Sequence, residues 1–153
     1  MMAEMEAVIQ RLWRQLPQIG AFAFAANNGV GSATDWNGRG DGEVQVTDHH
    51  GGWLFVETGR YTTPHGRVLA MHNRFWWQRT EQGVRLSHLR HEKPVELFEL
   101  KPGADGRWFT AEPHLCGQDH YRAELTPTDN GFLLTWQIIG PRKNEELSYR
   151  YRI

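Results

Sequence analysis

The sequence predicts an all-β protein, an antiparallel up-and-down barrel of roughly eight to ten strands with one N-terminal α-helix. Three observations carry this. Only the first residues repeat their apolar side chains at helical spacing. Everything after Pro17 divides into short β-rich runs. The breaks between those runs are turn chemistry: three glycines between Asn37 and Gly42, then His50-Gly51-Gly52, Thr63-Pro64-His65-Gly66, Gln82-Gly83, Pro102 to Gly106 and Asn130-Gly131.

The helix spans about residues 3–16. Val8, Ile9, Leu12, Trp13 and Leu16 recur three to four apart and form one apolar stripe. Glu4 and Glu6 stand near its start and Arg11 and Arg14 near its end, as the helix dipole favours. Pro17 disfavours helical geometry at Leu16 and marks the stop. A single amphipathic helix beside so many strands is expected to cover an open edge or end of the sheet.

The strands are expected at 19–26, 42–48, 52–61, 67–79, 83–90, 94–100, 106–112, 115–125, 131–139 and 145–152. With no helix between them, they read as a meander that forms a barrel or a sandwich. Short sequential hairpins favour the barrel, and closure removes exposed edges. No linker or internal repeat interrupts the chain, so one domain over 1–153 is expected, with the barrel at about 19–152.

Alternation sorts the faces. In 67–79 one parity holds Leu69, Met71, Asn73, Phe75 and Trp77; the other holds Val68, Ala70, His72, Arg74, Trp76 and Gln78. In 131–139 both parities are apolar, so Leu133 and Ile139 are expected under the helix or a partner subunit, which makes a homodimer an expectation.

Composition narrows the function classes. The chain has 153 residues, 39% of them hydrophobic and 12% aromatic, enough for a substantial core. A net charge of −1 argues against a generic nucleic-acid binder. The single cysteine cannot form an internal disulfide. No apolar run approaches the ~20 residues of a membrane span, and the acidic start is unlike a secretory signal. A cytoplasmic location without membrane or nucleic-acid partners is therefore expected.

The densest chemistry lies in His114-Leu115-Cys116-Gly117-Gln118-Asp119-His120-Tyr121. Read as one strand, strict alternation sets His114 and Cys116 against Asp119 and Tyr121. A bulge at Gly117 reverses the phase and brings those four to one side, leaving His120 and Arg122 outside. His114-x-Cys116 offers two ligands and no second motif completes a metal site, so no metal is expected. For a haem-type barrel, His72, His88 and His114 are the axial candidates, with no spacing to choose among them. His49, His50 and His65 fall at turns and are expected in solvent. Gly140-Pro141-Arg142-Lys143 reads as a tight turn at the barrel rim. There Arg142 either clamps an anionic ligand or closes the barrel through a salt bridge to Glu57 or Asp119.

Two motifs carry a family likeness. One is His114-Leu115-Cys116 followed by Asp119 and Tyr121; the other is Trp136-x-Ile138-x-Gly140-Pro141-Arg142-Lys143 ahead of Tyr149 and Tyr151. With weaker matches at Glu57, Gly59 and Arg74-Phe75-Trp76, residues of about 50–153 resemble a bacterial family of small single-domain proteins of unknown function. The resemblance implies a lipocalin-type, calycin-like barrel and supplies no reaction. Asn144-Glu145-Glu146 departs from the pattern, where relatives carry an Asp and an aromatic.

The expected function is binding of a small, partly apolar molecule inside the barrel, with a carboxylate or other anionic group as its polar end. Trp76 and Trp136 are expected as apolar wall, Arg74, His88, His114, Cys116, Asp119 and Tyr121 as further contacts, and Arg142 at the opening. Two alternatives remain open. One is an enzyme using Asp119 and His114, with Tyr121, for proton transfer; the other is a solid, oligomerising structural barrel. No cofactor is indicated by any motif.

Overall fold

A computed structural model describes residues 2–29, 37–110 and 114–153, with the backbone alone at 114–116. The helix α1 runs Met2–Gln15 and a single 3-10 turn, Leu16–Gln18, carries Pro17. The strands are β1 (Ala21–Asn28), β2 (Gly38–His49), β3 (Gly52–Thr62), β4 (Val68–Arg79), β5 (Val84–Arg90), β6 (Lys93–Pro102), β7 (Trp108–Thr110), β8 (His114–Cys116), β9 (Asp119–Thr128), β10 (Gly131–Ile139) and β11 (Asn144–Arg152).

Strands β1 to β7 each pair antiparallel with the next, β7 pairs with β9, and β9, β10 and β11 lead back to β1. Ten strands therefore close the up-and-down barrel, and β8 is a flanking strand on β9. On the long β2–β3 pair Gly42 lies opposite Gly59 and the backbones leave no room for side chains; a Cβ on Gly59 would meet the Asp41 carbonyl oxygen at 2.0 Å.

The helix plugs one end of the barrel. Ile9, Leu12 and Leu16 are buried in the common core. Trp13 packs on Trp53 at the start of β3 with ring centroids 6.3 Å apart, and Glu6 pairs with Arg79 at the end of β4 at 3.1 Å. Beneath it Trp77, Trp108, Tyr151, Phe55 and Phe132 are fully buried. Their rings interlock edge to face, as Trp77 does with Phe132 at 5.9 Å and Phe55 with Tyr151 at 5.4 Å. The helix leaves Ile139 uncovered: that residue is 50% exposed at the far end of β10.

Two expectations are corrected. The segment read as one strand through Gly117 is a hairpin: β8 and β9 pair Cys116 with Asp119 across a two-residue turn in which Gly117 takes φ 66°. A register shift does exist, but between Leu86 and Ser87, where β6 carries the extra residue Leu97.

Candidate functional site

The end opposite the helix is open. There the inward-facing residues leave a cavity of about 450 Å³, within the usual size range of small-molecule sites. Its wall is aromatic in depth. Trp136 stacks on Tyr149 at 5.2 Å and 16°, Phe75 meets Trp136 edge-on at 6.1 Å, and Phe24 lies 4.7 Å from Tyr149. Alternation puts these rings here: Phe75 shares the inward parity of β4 with Trp77, and Tyr149 that of β11 with Tyr151. Leu69 and Met71 continue the wall outward along β4.

Polar groups ring the opening. His88 and Arg90, two apart on β5, face the cavity together, joined by Tyr121, Lys143 and Glu145. The Arg90 Nε–H donates to His88 Nδ1 at 3.2 Å, which leaves Nε2 as the donor nitrogen of a neutral ring. Burial, and then the charge of Arg90, push the His88 imidazole below its ordinary pKa. Among the described residues no carboxylate lies within ion-pair distance of Arg90. Lys143 is shared with Asp119, whose carboxylate is 3.7 Å from Nζ.

The structure brings some of the expected residues together and separates others. His88, Tyr121 and Trp136 line the cavity, as does His72. Arg74 and Trp76 do not: they take the outward parity of β4, where Arg74 pairs with Glu92 and the Trp76 indole donates to the His49 carbonyl at 3.0 Å. Their expected place on the inner wall is corrected, because Phe75 and Trp77 fill the inward parity. Asp119 faces Lys143 and is not part of the wall. Arg142 is exposed in the turn closed by the Gly140 N–H to Lys143 carbonyl bond of 2.9 Å, so neither expected salt bridge forms and Lys143 is the rim cation. The side chains of His114 and Cys116 lie outside the described residues; the ladder sets their backbones opposite Tyr121 and Asp119.

Sequence reasoning missed Phe24, Arg90, Lys143, Glu145 and Tyr149 as wall residues. Arg90 was within reach, since it shares the parity of His88. Glu57 was noted only as a weaker family match and a salt-bridge partner. It is wholly buried inside the barrel, where Tyr151 donates its hydroxyl to Oε2 at 2.5 Å. Burial raises its carboxyl to about 8, against the opposing effect of the Tyr151 bond.

A family model matches residues 23–153, which hold every wall residue named here. This chain belongs to the family of unknown function DUF6314. The family match begins inside β1, and the plugging helix precedes it. No curated protein and no solved structure matches the chain.

Proposed function

We propose that this barrel binds one small, partly apolar molecule in its mouth cavity, in the manner of the calycin-like barrels its C-terminal motifs resemble. The observation that carries the reading is an aromatic cavity of about 450 Å³ with the cations Arg90 and Lys143 in its lining. An apolar body gains from burial against Phe24, Phe75, Trp136 and Tyr149, at roughly 25 cal/mol per Å² of surface removed from water. An anionic end finds Arg90, whose planar fork suits a carboxylate or sulfonate, and the donor nitrogen of His88.

Native mass spectrometry of freshly purified protein tests this, first alone and then with 1-anilinonaphthalene-8-sulfonate, a flat aromatic anion. The expected result is a single small adduct, either retained from the cell or formed one-to-one with the dye. Bare polypeptide mass in both spectra contradicts the reading.

A further inference from the structure

The cavity has a polar feature beneath its floor that the rim does not explain. Glu57 sits on the inward parity of β3, and its Oε1 has no hydrogen-bond partner. Buried polar atoms are almost always paired, and each exception asks for a cause. Tyr151 already satisfies Oε2, and the rings that pack on Tyr151 among the described residues, Phe55 and Tyr149, offer Oε1 no bond. The cavity is close by. Asn73, directly opposite Glu57 across β3–β4, is itself a wall residue, and opposite residues in a sheet have Cβ atoms roughly 4.5–5.5 Å apart. Tyr149, another wall residue, stacks on Tyr151 at 5.4 Å.

We propose that Glu57, positioned by Tyr151, is a second and deeper polar contact of the same cavity, selecting a flat guest whose inner end carries a hydrogen-bond-accepting oxygen such as a ketone or aldehyde carbonyl. This rests on the small-molecule reading above and adds the chemistry of the guest's inner end. Among the described residues the titratable groups that feel Glu57 are Tyr149 and Tyr151, both pushed well above the ordinary phenol range by burial and by Glu57 itself; its cross-strand neighbours Val44 and Asn73 carry no charge. Burial, with no cation paired to it among the described residues, keeps the proton on this group at neutral pH. A protonated carboxyl whose second oxygen lacks a partner is a donor in need of an acceptor.

The test is displacement of 1-anilinonaphthalene-8-sulfonate by two near-isosteres, 2-acetylnaphthalene and 2-ethylnaphthalene. Wild type is expected to prefer the ketone by about tenfold, the value of one well-made hydrogen bond. Glu57→Gln keeps a donor and keeps the preference; Glu57→Met removes the preference. In wild type the preference also fades as pH rises through about 8, which needs no variant to fold. Equal affinity for the two compounds in wild type, or a preference that survives Glu57→Met or high pH, overturns the proposal. So does tighter binding of 2-(1-aminoethyl)naphthalene than of the ketone, which would make the carboxylate an ion-pair partner. Failure of the dye itself to bind refutes the small-molecule reading instead.

Discussion

The two ends of this barrel are built from the same strands and do opposite things. At the helix end β3, β4, β10 and β11 point Phe55, Trp77, Phe132 and Tyr151 inward, all buried to within 2% exposure, and α1 seals them from water. At the mouth the same β4 and β11 contribute Leu69, Met71 and Leu147, shorter side chains that do not meet across the barrel and leave the cavity. Side-chain volume along each inward parity, together with the helix, decides where the barrel is solid and where it is hollow. Burial is thereby concentrated at one end and the open cavity lies at the other, with Glu57 at the boundary.

The sharpest way to break that division is to make each end do the other's work. Trp77→Ala opens a void in the sealed end and is expected to cost about 3–5 kcal/mol, read by urea denaturation. Leu69→Ala at the mouth is expected to cost less than about 1 kcal/mol, since that side chain is already 38% exposed. Comparable losses at both positions would erase the distinction.

The boundary makes its own prediction in pH. The native state holds the Glu57 proton up to about 8, whereas the unfolded chain releases it near the ordinary carboxyl value of 4.5. The stability this contributes is full below 4.5 and is lost as pH rises through about 8, on the order of a few kcal/mol. Melting temperature should fall across that window in wild type and less steeply in Glu57→Gln. His88 works in the other sense: its lowered value favours the neutral ring, so its contribution is present above the ordinary imidazole pKa and lost on acidification.

Smaller effects follow at the rim. Arg90→Ala is expected to weaken 1-anilinonaphthalene-8-sulfonate binding by several-fold with little change in melting temperature, as measured by dye titration beside a thermal melt. Lys143→Ala, which removes a half-exposed partner from Asp119, is expected to cost about 0–1 kcal/mol, less at high salt.

Much of the architecture was legible in the chain because glycine, proline and alternation act locally. Pro17 ended the helix within a residue, and turns such as Asn130-Gly131 fell where strands do break. Two misread segments show the limit: residues 38–42, expected as a turn, belong to β2, and a two-residue turn and a bulge at Gly117 leave the same glycine in the sequence. Trp76 was misplaced because β4 carries a tryptophan on each parity, and only closure decides which parity faces inward. The Glu57–Tyr151 contact could not be read at all. Its partners are 94 residues apart and meet only because β11 closes on β1 while β1 to β3 run in series.

The central claim is that the mouth is hollow and receives a guest. Its most direct measurement is the stoichiometry of 1-anilinonaphthalene-8-sulfonate bound to wild type and to Met71→Trp, a wall substitution that fills the cavity without touching the sealed end. One dye per wild-type chain and none on a Met71→Trp protein of unchanged melting temperature is the predicted result. Equal binding to both proteins would place the dye elsewhere and contradict the account.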